Sequence, residues 1–194
     1  MKFEYLICHH SGIMTKDDQI QQIINGHTAN GWDDGDGIME PEDIGYNFFI
    51  EYSGIIIEGR PLTVDGAHTR NDNVEKGIRG PDGKLVNLNR LGIGICLAGD
   101  FTKEMPTPAQ VRSLHDLTIV LQWQFGIPDC NVLLHYDIKG TLCPGIDLRK
   151  SIKDYHIEYL RMRVEQAKKA LKWASGSRRG TLIRFIERVS RLIS

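Results

Sequence analysis

Residues 93–98, Ile-Gly-Ile-Cys-Leu-Ala, are the most apolar strand candidate in the chain and offer water no polar face. A run of that kind belongs at the centre of a sheet. Strand and helix patterns alternate around it. Residues 3–9 read as a strand that delivers His9 at its end, and residues 132–135 read as a second one that ends on His135. Residues 46–52 and 55–58 flank Ser53-Gly54, a hairpin signal. Thr15 is the expected N-cap of a helix with Asp17 and Asp18 in its first turn, carrying Ile20, Ile23, Ile24 and His27 at helical spacing. Thr107-Pro108-Ala109-Gln110 combines a capping residue, a proline at the first helical position and a capping-box glutamine. Val111, Leu114, Leu117 and Leu121 supply the buried stripe of that helix. The alternation makes the class α/β.

Length and charge set the domain plan. A chain of 194 residues accommodates one domain with a real core plus an appendage, without disulfide staples. The net charge of −1 hides a split: residues 1–146 carry 11 Lys/Arg and 20 Asp/Glu, whereas residues 147–194 carry 13 and 5. An acidic body of residues 1–150 and a basic helical extension of residues 151–194 are therefore expected. The basic end points to an anionic partner. Helix formers dominate residues 148–174, Ser175-Gly176-Ser177 reads as a hinge, and residues 181–193 read as a second helix. Leu182, Phe185, Ile186, Val189, Leu192 and Ile193 fall on one stripe of it, and Arg184, Arg188 and Arg191 on another. Two readings stand: an interfacial helix that meets anionic envelope lipid or polysaccharide through residues 178–194, or a helix packed on its own domain with its arginines in water. No nucleic-acid partner is expected.

No apolar run approaches the length of a membrane span. The first eight residues enter a strand without the pattern of a signal peptide, so synthesis in the cytoplasm is expected. Cys8, Cys96, Cys130 and Cys143 are few and irregularly spaced, reading as thiols or metal ligands. Asp33, Asp34 and Asp36 invite a calcium reading but lack the spaced ligands and final Glu of an EF-hand loop, so residues 33–43 read as a solvated acidic loop. Residues 65–90 form a long polar excursion of the kind that often carries function.

The strongest chemical signal is His135 with Cys143, both at or beyond a strand end. Imidazole and thiolate are good zinc ligands, but eight residues of separation are too loose for a knuckle. A third ligand would come from Cys8-His9-His10, where only one of the two adjacent histidines can face the site. The competing reading is a satisfied core histidine and a small buried thiol.

Several segments together resemble the zinc-dependent N-acetylmuramoyl-L-alanine amidase family, shared by phage lysozyme-type amidases and peptidoglycan recognition proteins. They are Ile7-Cys8-His9-His10-Ser11, His27 with Gly31-Trp32, Asp43-Ile44-Gly45-Tyr46-Asn47-Phe48, Glu58-Gly59-Arg60, Gly66-Ala67-His68, the segment 93–101, the Pro108 helix start and the segment 135–145. They occur in family order. The resemblance implies a mixed central β-sheet flanked by helices, and Zn2+ on His9, His135 and Cys143. It also implies Tyr46 and Thr141 as hydrogen-bond donors to the developing oxyanion, with His68 and Asn47 near substrate. His27 reads as structural. Thr141 occupies a position held by Lys in some members, and Lys139 is not its equivalent. Cys143 is retained where non-catalytic members have Ser, which argues for catalysis. The implied activity is cleavage of the amide between N-acetylmuramic acid and L-alanine in peptidoglycan, by a phage or prophage endolysin, antimicrobial and bacteriolytic on the cell wall. The alternatives are a cytoplasmic muropeptide-recycling amidase and a non-catalytic peptidoglycan-binding module. Residues 33–43 and 69–90 are longer than in many members.

Overall fold

The computed structural model describes residues 2–33, 38–69 and 78–192, with the backbone alone for residues 146, 147, 153, 191 and 192. The calcium reading at Asp34 and Asp36 and the Ile193 end of the apolar stripe lie outside the described residues. The chain divides into two compact units, Met1–Arg149 and Lys150–Ser194.

The first unit holds a five-stranded sheet in the order β3-β2-β4-β1-β5. Its strands are β1 (Tyr5–His10), β2 (Phe48–Ile50), β3 (Ile56–Glu58), β4 (Gly92–Leu97) and β5 (Val132–Leu134). Strands β2, β4, β1 and β5 are mutually parallel, and β3 returns antiparallel as the edge. The sheet is mixed and β4 is central, as the apolar run requires: all six of its residues are buried.

Helices account for both covered faces. Helix α1 (Gln19–Ala29) packs Ile23 and Ile24 against Ile44, Phe49, Cys96 and Ala98. Helix α3 (Pro108–Phe125) begins with the expected box, Thr107 accepting the Gln110 N–H at 3.1 Å and Gln110 accepting the Thr107 N–H at 3.0 Å. It runs between opposite ends of the two central strands, from beyond the carboxyl end of β4 to before the amino end of β1. Gln110 donates to the Ala98 carbonyl at 2.7 Å, and Phe125 meets Phe3 edge-on at 5.1 Å between ring centres. Two single-turn helices, α2 (Leu88–Leu91) and α4 (His135–Ile138), precede β4 and follow β5.

Two boundaries differ from the sequence expectation. Thr15 does not cap α1, which starts after Asp18, a residue in the left-handed region at φ 50°. The cause is Gln19, buried and used at both ends of its amide. It donates to the carbonyls of Ile13 and Thr15, and it accepts from the Ser11 hydroxyl at 2.7 Å and the Gly99 N–H at 3.2 Å. Residues 13–18 wrap around that amide, so they form a loop. Further along, α5 (Ile146–Leu171), which begins in the first unit, and α6 (Gly176–Leu192) are separated by residues 172–175, so Gly176 opens a helix and the break falls just before it.

Candidate metal centre

Parallel pairing brings the two histidines together. Leu134 pairs with Cys8 in β1, so the next residues along, His135 and His9, lie side by side at the carboxyl ends of adjacent strands. That end of an open α/β sheet is where ligands are usually met. The ring centres are 4.5 Å apart. Alternation then sends His10 to the opposite face, where its Nδ1 accepts the Phe101 N–H at 3.1 Å and lies 3.6 Å from Asp100. The expectation that one of the pair is excluded is met by geometry.

Cys143 arrives on the loop after α4. Thr141 Oγ1 accepts the Cys143 N–H at 3.2 Å, and the His10 N–H donates to Cys143 Sγ at 3.4 Å. The loop lies flush on the backbone of Phe101 at Gly145, where φ is 95° and any side chain would collide with the Phe101 carbonyl. Only glycine meets both demands.

One ligand atom each from His9, His135 and Cys143 lies within 4.8 Å of the others. His9 Nδ1 and Cys143 Sγ are 3.9 Å apart. A tetrahedral zinc would hold such a nitrogen and sulfur about 3.6 Å apart, from its ordinary bond lengths. His135 Nε2 is buried with no hydrogen-bond partner, an orphan that a metal bond would satisfy. Charge tells the same way. Burial first, then the neighbouring histidines, holds His9 well below its ordinary value, and burial followed by Lys139 takes His135 to about 4. Both imidazoles are neutral, the form that ligates. Burial pushes the Cys143 thiol up to about 12, so its thiolate requires a cation beside it. The donor set of two nitrogens and one sulfur fits Zn2+ and leaves a fourth position for substrate or water.

His68 is not an exposed loop residue. It is 6 % exposed, and its Nδ1 lies 3.2 Å from His9 Nε2. Burial lowers it to about 3. Gly94 makes room for it: a Cβ on that residue would stand 2.5 Å from the imidazole. Asn89, a residue the sequence offered no reason to single out, clamps this segment. Its Oδ1 accepts the N–H groups of His68 and Thr69, and its Nδ2 donates to the Thr69 carbonyl. Tyr46 packs its ring 5.1 Å from that of His9 and stacks on His68 at 6.4 Å. Burial, then Cys96 and Cys143, raises its hydroxyl well above the ordinary value, so it remains a donor. His27 accepts the Gly45 N–H at 2.7 Å, which fits the structural role expected of it.

Asn47 departs from expectation. Its Nδ2 donates to the Arg60 carbonyl at 3.0 Å and its Oδ1 accepts the Gly94 N–H at 2.9 Å, with the residue 3 % exposed. Both ends of the amide are used by the backbone, so Asn47 ties β2 to β4 instead of facing a ligand. Lys139 was not expected in the site, yet it lines a cleft of about 300 Å³ together with His135, His68, Tyr46, Trp32 and Asn89. Its place just beyond α4 turns it towards His135, a consequence of the helical turn that the sequence alone read as the end of a strand.

The chain is similar to known proteins in sequence and in fold. The chain is 31 % identical to an N-acetylmuramoyl-L-alanine amidase of Sus scrofa over 119 residues, covering 60 % of this chain and 16 % of that protein. It is 30 % identical to peptidoglycan recognition protein 1 of Bos taurus over 114 residues, covering 58 % of this chain and 52 % of that one. The chain thus spans at most about half the length of these relatives. Among solved structures, the N-acetylmuramoyl-L-alanine amidase LysC of Clostridium intestinale superposes with a TM-score of 0.59 at 25 % identity, covering 80 % of this chain and 87 % of that one. Residues 1–146 match the family described as N-acetylmuramoyl-L-alanine amidase (Amidase_2). That match takes in every strand of the sheet and all three candidate ligands, and the chain belongs to this amidase family.

Proposed function

We propose that this protein is a zinc-dependent peptidoglycan amidase that cleaves the bond between N-acetylmuramic acid and L-alanine, acting on the bacterial cell wall as an endolysin does. The observation that carries the reading is the convergence of His9, His135 and Cys143 at the carboxyl ends of β1 and β5, inside the segment matched by the family. Residues 1–150 act as the catalytic domain and residues 151–194 as a basic helical extension.

His9, His135 and Cys143 would hold the metal. A Zn2+ held there would supply Lewis acidity towards water and towards the amide carbonyl. The chain's own residues do the rest. His68 holds the His9 ring through the 3.2 Å contact, fixing which nitrogen of His9 is left for the metal. The Tyr46 hydroxyl donates to the carbonyl oxygen as negative charge develops, and Thr141 adds a second, neutral donor. The cleft walls at Trp32 and Lys139 hold the glycan-peptide substrate beside His135. Lys139 places a cation there, whereas Thr141 contributes no charge at its own position.

Binding without cleavage is the second reading, supported by the recognition-protein relative. Cys143→Ser separates the two. Zinc content and release of L-alanyl peptide from purified sacculi are measured for both forms. Stoichiometric zinc and peptide release, both lost in the variant, are expected. Release that survives the substitution overturns the proposed centre. Sacculi bound but never cleaved by the zinc-loaded wild type establish the binding reading. In the same assay His68→Ala weakens zinc affinity by about 10- to 100-fold, as loss of a supporting hydrogen bond does.

A further inference from the structure

Residues 166–186 contain six Lys or Arg and no Asp or Glu. Five of the six flank the link between α5 and α6, a corner of the second unit. Lys168 and Lys169 lie in the last turn of α5, Lys172 just beyond it, Arg178 and Arg179 in the first turn of α6, and Arg184 further along. All six are exposed. Glu165 pairs with Lys168 at 2.7 Å, which leaves the net charge of the corner strongly positive.

Trp173 lies between these cations in sequence, on the link between the helices, and it is 90 % exposed. The link is closed. The N–H of Trp173 donates to the Ala170 carbonyl at 3.1 Å, and Arg179 Nη1 donates to the Leu171 carbonyl at 3.1 Å, capping the end of α5. The indole is therefore presented on a fixed turn. The apolar stripe of α6 offers less: Val189 is buried, and Leu182, Phe185 and Ile186 are half-buried.

Cations alone suit any polyanion. An exposed indole flanked by them in sequence suits an interface whose charge lies above an apolar layer, because the ring settles at headgroup depth while Lys and Arg meet anionic headgroups. We propose that the α5–α6 corner, centred on Trp173 with Lys168, Lys169, Lys172, Arg178 and Arg179, docks on an anionic phospholipid bilayer. The proposal does not depend on the amidase reading.

The test uses the full chain and sedimentation with two vesicle types, phosphatidylglycerol mixed with phosphatidylcholine, and phosphatidylcholine alone. Binding to the mixed vesicles only, weakening as salt rises, is expected. Trp173→Ala should lower that affinity at least tenfold, and Lys169→Glu with Arg178→Glu should abolish it. Trp123 is 88 % exposed on α3, away from the corner in sequence and in unit, so Trp123→Ala should bind as the wild type does. Thermal melts check that each variant is folded. Brominated phosphatidylglycerol should quench the fluorescence of the wild type more than that of Trp173→Phe, a readout that does not rely on the alanine variant folding. Equal binding to both vesicle types overturns the proposal. So does wild-type affinity in Trp173→Ala together with competition by DNA, which would make the corner a general polyanion surface.

Discussion

The two units use polar residues in opposite ways. In Met1–Arg149 the informative polar groups are buried: His9, Asn47, His68 and Gln110 are each less than a tenth exposed. Each is fixed by a named partner from another part of the chain, across 12 to 59 residues of sequence. Among the described residues of Lys150–Ser194, the pairs Lys150 with Asp154 and Lys168 with Glu165 are local and exposed, three or four residues apart on α5. Burial turns a hydrogen bond into a constraint, because leaving a buried group unpaired costs far more than a pair gains in water. The first unit can therefore hold a reactive geometry, and the second presents a surface.

The largest effect that would break this contrast lies at Tyr46. Tyr46→Phe keeps the ring packed on His9 and removes only the hydroxyl. A fall of about 10²–10³ in kcat with KM little changed is expected for loss of one oxyanion donor, read as peptide release from sacculi. A wild-type rate in the variant would show that this half-buried tyrosine only packs.

A smaller effect concerns pH. Burial, followed by the charge of Arg60, holds His27 at about 4, while in the unfolded chain it titrates near 6.5. Between these values the unfolded chain binds the extra proton. The stabilisation from neutral His27 is therefore fully present above about pH 6.5 and is lost as pH falls towards 4. Urea midpoints measured across that window should fall more steeply for the wild type than for His27→Gln, which can still accept the Gly45 N–H but does not titrate. Parallel curves would show that the half-buried His27 does not act as a constraint of this kind.

The smallest effect belongs to the second unit. Asp154→Ala removes an exposed pair and should cost no more than about 0.5 kcal/mol by urea denaturation. A loss of several kcal/mol would show that this unit too is organised by polar contacts, and the contrast would fail.

Much of the site was legible beforehand because its signals are local. A capping box at Thr107, an unbroken apolar run at residues 93–98 and histidines at strand ends are written in neighbouring residues. Resemblance supplied the pairing of His9 with His135 and Cys143. The readings at Thr15 and Asn47 failed for one reason, a polar partner distant in sequence, whereas the place of Lys139 follows from a local turn. Thr15 lost the cap of α1 to Gln19, whose amide reaches Gly99, eighty residues away. Asn47 was drawn into the sheet by Gly94 and Arg60. Lys139 entered the cleft because His135 begins a helical turn.

The sequence by itself determined the α/β class, the division of charge between body and tail, and the residue types able to hold a metal. Periodicity, capping and composition act within a few residues, so they survive in one dimension. Only the tertiary structure decided where His10 is held, that His68 supports His9, that both ends of the Asn47 amide are taken by the backbone, and that Trp173 meets solvent more fully than Leu182, Phe185, Ile186 and Val189. Those outcomes depend on strand register, on the space left by Gly94 and on a closed turn between two helices. Each is a packing relation between surfaces that comes into existence when the chain folds.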